Sequence, residues 1–451
     1  MKTNNDIEKL LGKYNRPVPR YTSFPTAVQF THDISQNDYV SLIEGIEPDE
    51  RVSVYIHIPF CHSLCHYCGC NTKILNSYAP VESYLENMFS EISLVGKTMS
   101  QRQDVSLVHF GGGSPNYLKP KDLRRVIDKV SEFFDISDDT NIDIESDPRY
   151  LDTEMIKCYA DIGVTRVSLG VQDFNHDVQV AINRVQPFEM VENCVKELRE
   201  NGINQINFDL IIGLPKQTVE TVRNTAESAA SLLPDRLAVF PYAHVPWMKK
   251  HQKLLDKYVM ADGYERFLMN EAVDSVLKGN GYNAIGTDHY ARAVDPLCAA
   301  QSGGELKRNF QGYTTDSSNT IIGFGLSSIS SYKDAYVQNT TDPASYRKNL
   351  SDNKFPIQRG CVLSDDDRLL RSLIEEVMCN FKVDLTKYAD VLAGSIDSIK
   401  IKLSELEQDG LVVFEGQLLK ITQAGLPFTR VVASCFDPYF QMQDNQHAKA
   451  I

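Results

Sequence analysis

The sequence predicts an α/β protein built as a partial (β/α)6 barrel. An N-terminal arm precedes the barrel, and a mainly helical, winged-helix-like domain follows it. Three observations carry this reading. Between about residues 50 and 290, short β-branched runs alternate with longer amphipathic segments. The alternation recurs at roughly 30–40 residues, the size of a βα unit. Polar or otherwise unusual residues gather at the end of each β-like run, as chemistry does at the C-terminal rim of a β/α barrel. The chain divides accordingly into an arm (1–50), a barrel with its extension (51–360) and a C-terminal lid-like domain (361–451).

The arm is expected to be irregular, because "RPVPRYTSFPTA" is extended and punctuated by proline. The barrel strands are read in "VSVYIHI" (52–58), "VSLVHF" (105–110), "NIDIES" (141–146), "RVSLGV" (166–171), "INFDLII" (206–212) and "RLAVFPY" (236–242). Helical patterns such as "PKDLRRVIDKVSEFF" and "PFEMVENCVKELRENG" lie between them. The cysteine-rich "CHSLCHYCGC" follows the first strand and "GGGSP" (111–115) the second. Glu145 ends the third, Gln172 and Asp173 end the fourth, Asp209 lies in the fifth, and Tyr242 to His244 end the sixth. Residues 290–360 read as turns and loops. From Ser364 the pattern changes to a helix opened by serine and three acids, a second helix over 395–410, a hairpin turning at Glu-Gly, and a last helix in "QAGLPFTRVVASCF".

A helix, helix, hairpin order is common in DNA-binding modules. Residues 364–424 nevertheless carry twelve acidic and seven basic side chains, and the whole chain has a formal charge of −14. Such a surface repels polyanions, so a lid or packing role is expected and nucleic acid is not an expected partner. The start lacks an apolar signal core, and no stretch approaches the length of a membrane span. A cytoplasmic protein is expected, and a monomer, since no long exposed apolar strip is evident.

In a reducing compartment, clustered cysteines read as metal or redox ligands rather than disulfides. Cys61, Cys65 and Cys68 make C-x3-C-x2-C, with Cys70 two residues on. Soft thiolates select zinc, copper(I) or iron–sulfur clusters. A structural zinc site wants four ligands, here to be completed by Cys70, His62 or His66. Three cysteines in one tight loop suit a cubane cluster with one iron left open. The other six cysteines are scattered and read as buried free thiols. "GGGS" lets backbone approach a ligand closely and offers N–H groups to a carboxylate. Arg184 has the fork geometry for a carboxylate, although alone it reads as a surface arginine.

The C-x3-C-x2-C loop after a first barrel strand resembles the radical S-adenosylmethionine (SAM) enzymes. With Cys70, "PRYTSFPTA", "HFGGGSPNYL", "GVQDFN", "DLIIGLPKQT", "YAHVP", "NFQGYTT" and "CFDPYF", the chain resembles the oxygen-independent coproporphyrinogen III oxidase (dehydrogenase) family nearly end to end. The resemblance implies a [4Fe–4S] cluster held by Cys61, Cys65 and Cys68, with SAM on the fourth iron. It places Gly112, Gly113, Ser114, Glu145, Gln172, Arg184 and Asp209 in the SAM-binding pattern, and Tyr55 near cluster and cofactor. It implies a second SAM beside Phe240, Ala243, Phe310, Gln311 and Ile329. Tyr55, Cys70 and Gln311 are the expected catalytic side chains.

The implied reaction removes a hydrogen atom, one electron and carbon dioxide from each of two propionates of coproporphyrinogen III, leaving vinyl groups and protoporphyrinogen IX. An electron donor such as flavodoxin or ferredoxin is implied, and a separate acceptor takes the last electron. Arg16, Arg20, Lys307 and Arg308 are candidates for the substrate's carboxylates, on grounds of charge. Two departures from the family pattern are Pro241, where a small polar residue is expected, and Ser114 in place of threonine. The alternatives within the superfamily are a haem-binding chaperone and a haem-acting methyltransferase. The chaperones typically lack the arm, the fourth cysteine and "FQGYTT".

Overall fold

A computed structural model describes residues 4–394 and 396–440. The expected β-runs form six strands: β1 (Val52–Ile58), β2 (Gln103–Gly112), β3 (Asn141–Ser146), β4 (Arg166–Gln172), β5 (Gln205–Ile212) and β6 (Arg236–Pro241). They pair in parallel, in that order. Fully buried parallel strands usually read as continuous apolar runs. These alternate instead. Val54, Ile56, Ile144, Val167, Leu169, Phe208 and Leu210 are buried in the main hydrophobic core. Ser53, Tyr55, Asp143, Glu145, Ser168, Asn207 and Asp209 occupy the alternate positions, which period two sends to the opposite face. One face of the sheet is therefore core and the other is a polar lumen.

The chain after β6 departs from expectation. It adds β7 (Tyr282–Ile285), β8 (His289–Arg292), β9 (Lys307–Asn309), β10 (Gly312–Thr314), β11 (Thr320–Phe324), β12 (Ile329–Ser331), β13 (Ala335–Asn339) and β14 (Ile357–Val362). Residues 290–360, read as turns and loops, thus carry much of the sheet. The main sheet runs β7-β8-β6-β5-β4-β3-β2-β1-β11-β12-β13-β14, with β11 parallel to β1 and β9–β10 a separate hairpin. These strands span three to six residues, and β11 and β13 are buried throughout. Strands of three residues are too short to show alternation, and the fully buried β11 and β13 have none to read.

The arm is also more ordered than expected. It contains helices Asn4–Tyr14 and Gln36–Glu44, the second opened by a Ser35–Asp38 capping box. Leu10, Leu11, Tyr14, Val18, Tyr21 and Phe24 share a second core with Leu373, Val377, Leu403, Val431 and Val432 of the C-terminal helices. Lys13 Nζ and Tyr14 Oη donate to Asp409 at 2.8 and 2.5 Å, and Tyr21 Oη to Asp437 at 3.0 Å. The C-terminal part has helix Asp365–Asn380, capped by Ser364, and helix Ile396–Gln408. Its hairpin pairs Val412–Glu415 with Leu418–Ile421, and Lys382–Asp384 adds a third strand. The expected start of the second helix, Ser395, and residues 441–451 lie outside the described residues. No helix among the described residues is long and apolar enough to cross a membrane.

A buried acid ties the sheet extension to the barrel. Glu91, on helix Ala79–Thr98, is 1% exposed and accepts hydrogen bonds from Gly325 N (2.9 Å), Asn339 Nδ2 (2.5 Å) and Tyr346 Oη (2.5 Å). Burial outweighs these donors and raises its carboxyl to about 7. The folded state therefore holds this proton more tightly than the unfolded chain does. Glu91's contribution is fully present below the unfolded value and is lost as pH rises towards 7, about 3 kcal/mol in all. Urea titrations of Glu91→Gln between pH 4.5 and 7 should show a shallower fall in stability than wild type. Parallel slopes would contradict this assignment.

Candidate active site

The loop after β1 brings Cys61, Cys65, Cys68 and Cys70 to one cavity of about 190 Å³. Gly112, Gly113, Ser114, Glu145, Gln172, Arg184 and Asp209 line the same cavity. The loop has little regular structure, so its carbonyls need partners from elsewhere. Asn183 Nδ2 donates to Leu64 O, Gln252 Nε2 to Tyr67 O and Lys249 Nζ to Cys70 O, each at 2.8 Å. His251 Nε2 lies 2.8 Å from Cys68 O, and His66 N donates to Ile182 O at 2.9 Å. Gln252 is fully buried and also receives Val245 N at 2.6 Å. The segment after β6 thus clasps the cysteine loop.

Beneath Cys65 sits a buried charge network. Arg149 and Arg184 each bond Asp147 Oδ2, at 2.6 and 3.0 Å. Both guanidinium groups also face the Cys65 sulfur, at 3.7 and 3.5 Å. Burial opposes the Asp147 charge, but Arg184 and Arg149 outweigh it and hold the carboxyl below its ordinary range. Arg184 Nη2 donates to Gly170 O at 2.6 Å, which fixes the planar group. Asp147 and Arg149 escaped the sequence reading; their signal was a second acid just past the third strand, in "ESDPR".

The glycines after β2 serve approach more than donation. At Gly112, φ is +114°, and a Cβ would stand 2.6 Å from the His57 ring. A Cβ on Gly113 would meet Phe60 backbone at 2.8 Å. The N–H groups expected for a ligand carboxylate are already engaged. Gly112 donates to Glu145 at 3.2 Å, Gly113 to Ile58 O and Ser114 to Phe60 O, both at 2.8 Å. Ser114 Oγ donates to Asn116 at 2.8 Å.

Glu145 and Tyr55 each meet one histidine. Glu145 lies 3.3 Å from His109 Nε2, while His57 Nδ1 lies 3.0 Å from Tyr55 Oη. The Tyr55 ring stacks on His109 at 5.9 Å. Burial opposes the Glu145 charge, but His109 and the Gly112 N–H overcome it and lower the carboxyl. Asp209, opposite, is raised to about 7 by its own burial and by Glu145. Gln172 adopts φ +69°, and its Oε1 is buried without a hydrogen-bond partner. That orphaned acceptor, among carboxylates and an arginine, suits a ligand bearing amino or hydroxyl groups.

A second cavity of about 150 Å³ occupies the lumen and shares Glu145, Ser168 and Asp209 with the first. Phe240 and Gln311 line it; Phe240 meets His289 edge-on at 5.7 Å. Phe310 and Ile329 face away from it, packed beside Phe30 and Tyr336. Ala243 lies in the loop after β6, its carbonyl 3.3 Å from Gln252 Nε2. The five residues expected around a second cofactor are therefore divided among neighbouring spaces. Arg20 Nη2 donates to Pro241 O at 3.0 Å, so Pro241 anchors the arm. Arg308 pairs with Asp288 at 3.3 Å. Both residues are thus partly committed within the protein.

The donor set fits a cluster better than a single ion. Among the described residues, no three His, Cys, Asp or Glu side chains converge as one metal ion requires. Zinc needs four ligands about 2.0–2.3 Å from one centre. A cubane spreads its thiolates over three corners, and three cysteines ringing one cavity match that arrangement. A parallel sheet with C-x3-C-x2-C at the C-terminal end of its first strand, opening onto such a cavity, defines a radical SAM enzyme, and residues 55–229 match the Radical SAM superfamily.

The narrower relationship rests on the rest of the chain. Residues 363–428 match the HemN C-terminal domain. The chain is 36% identical to an oxygen-independent coproporphyrinogen III oxidase of Cereibacter sphaeroides over 97% of both chains. It is 36% identical to that of Escherichia coli K12 over 96% of this chain and 95% of the relative. The solved coproporphyrinogen III oxidase (HemN) from Escherichia coli, described as a radical SAM enzyme, superposes with a TM-score of 0.88. That match has 35% identity and covers 93% of this chain and 98% of the other. The chain belongs to the oxygen-independent coproporphyrinogen III oxidase family.

Proposed function

We propose that this chain converts two propionate side chains of coproporphyrinogen III to vinyl groups, giving protoporphyrinogen IX without oxygen. One observation carries the proposal: the cysteine cavity adjoins a polar lumen and shares Glu145, Ser168 and Asp209 with it. We assign Cys61, Cys65 and Cys68 to a [4Fe–4S] cluster, and Glu145, Gln172, Arg184 and Asp209 to SAM. When bound, cluster and SAM supply a hydrogen-abstracting carbon radical under reducing conditions. Gly112 and Gly113 allow the close approach, and Ser114 holds the turn. Tyr55, Cys70 and Gln311 are assigned to the reacting region. Tyr55 Oη lies 3.0 Å from His57 Nδ1, and Gln311 lines the lumen. A second SAM beside Phe240, Ala243, Phe310 and Ile329 is part of the proposal. So are a cytoplasmic monomer served by a reduced flavodoxin or ferredoxin, and a catalytic body over 51–360 covered by arm and C-terminal domain.

Anaerobic incubation of reconstituted protein with SAM, reductant, an electron acceptor and coproporphyrinogen III should release two carbon dioxide molecules per porphyrinogen, read by mass spectrometry. Binding or modification of haem, with no decarboxylation, would move the chain to the haem-acting relatives.

Asp209 adds a pH signature. Its carboxyl titrates near 7, facing Glu145, Arg184 and His109. A cationic ligand favours the carboxylate, so SAM affinity should rise about tenfold from pH 6 to pH 8. Equilibrium dialysis should show this rise in wild type and a flatter profile in Asp209→Asn. Equal slopes would remove Asp209 from the ligand's contacts.

A further inference from the structure

We infer that a third cavity seats the carboxylates of the porphyrinogen that are not reacting; this rests on the function proposed above. The cavity measures about 320 Å³ and shares Asn309 and Thr314 with the lumen. It is walled by the arm, the β9–β10 hairpin, the β12–β13 turn and helix Asp365–Asn380. Phe310 and Tyr336 give it an aromatic side, their rings edge-on at 5.9 Å.

Lys307, Lys333 and Arg371 give it a cationic side. Among the described residues, none of these three is ion-paired. Lys307 Nζ donates to the Ser317 carbonyl at 3.0 Å. Arg371 reaches the Tyr332 carbonyl and the Ser331 hydroxyl only at 3.4 and 3.5 Å, and lies 5.1 Å over the Tyr336 ring. Arg308 and Arg368 also line the space, but they are paired with Asp288 and with Asp334 and Asp365.

The two carboxylates in the wall are occupied. Asp316 accepts from the Ser53 and Ser106 hydroxyls, and Glu375 from Arg308 N. Three cations without an ion pair, beside aromatic rings, match a ligand with apolar rings and peripheral carboxylates. Asn309 and Thr314 line both spaces, so a porphyrinogen seated here would extend one propionate past them towards the lumen, where Gln311 and Asp209 lie. Gln311, which lines the lumen, then lies on the reacting side.

The test is equilibrium binding of coproporphyrin III, a fluorescent tetracarboxylate, to the full chain, together with KM for coproporphyrinogen III. Lys333→Met and Arg371→Met should each weaken binding about fivefold and raise KM similarly, and the double variant about twentyfold. Arg371→Lys keeps the charge but not the planar group over Tyr336, so it should fall between wild type and Arg371→Met. Lys157→Met, on an exposed helix face remote from the cavity, should change nothing. Tetramethyl-ester binding should be indifferent to all four changes. A folded double variant with unchanged affinity and KM would overturn this seat while leaving the decarboxylase reading intact. A wild-type protein that neither binds the tetracarboxylate nor decarboxylates the porphyrinogen would overturn both.

Discussion

On the proposed assignment, Cys65→Ser is expected to abolish cluster assembly and turnover while leaving the fold in place. Cys65 is 8% exposed, and its described side-chain contacts are the long approaches of Arg149 and Arg184. A serine hydroxyl is nearly isosteric, so packing barely changes. It is a hard, protonated oxygen where the site supplies a soft thiolate, so iron–sulfur ligation fails. Iron should fall from about four per chain to near zero after anaerobic reconstitution. Circular dichroism should match wild type, and SAM cleavage should vanish. Cys158→Ser is the control. Cys158 is fully buried in helix Thr153–Asp161 and donates to Pro120 O at 3.4 Å, away from the cavity. It should keep its iron. Full iron loading in Cys65→Ser would show that another residue completes the site.

The second large effect is expected for Arg184→Met. The side chain is 7% exposed, and its partner Asp147 is 10% exposed. Removing the guanidinium leaves Asp147 with Arg149 as its described cation and takes the 2.6 Å donor from Gly170 O. Breaking a buried pair from one side costs about 3–5 kcal/mol where the remaining charge is left uncompensated, and the cost here is smaller because Arg149 stays on Asp147. The unfolding midpoint should fall accordingly. SAM affinity should fall as well, since the fork lines the cofactor cavity. Arg184→Lys separates the two effects: it keeps the charge, recovers part of the stability and does not restore the planar bidentate geometry. An Arg184→Met protein with wild-type stability would mean that Asp147 and Arg149 suffice alone.

The six barrel strands were legible because most alternate apolar and polar residues, Arg236–Pro241 being a continuous apolar run after its arginine, and because each ends in unusual chemistry. Val52–Ile58 and Asn141–Ser146 coincide with their expected spans. The cysteine spacing carried the site in the same way, as a local pattern with a chemical reason. What escaped was non-local. Gln252 lies 185 residues from Tyr67, and nothing in "KKHQKLL" announces that it will cap a loop. His57 and His109 read as ordinary strand residues until the sheet sets them around Tyr55 and Glu145. Lys333 and Arg371 belong to segments that meet only after the arm and the C-terminal helices have packed. The glycine run was legible as a close approach, but its donors are taken within the protein, by Glu145, Ile58 and Phe60.

The central claim is that a radical generated beside the cysteine loop takes hydrogen from a propionate held in the adjoining lumen. Label transfer tests it most directly. Coproporphyrinogen III deuterated at the β-carbons of its propionates is turned over anaerobically, and the 5′-deoxyadenosine is weighed. The account predicts one deuterium in 5′-deoxyadenosine for each carbon dioxide released. Unlabelled 5′-deoxyadenosine accompanying vinyl formation would contradict it.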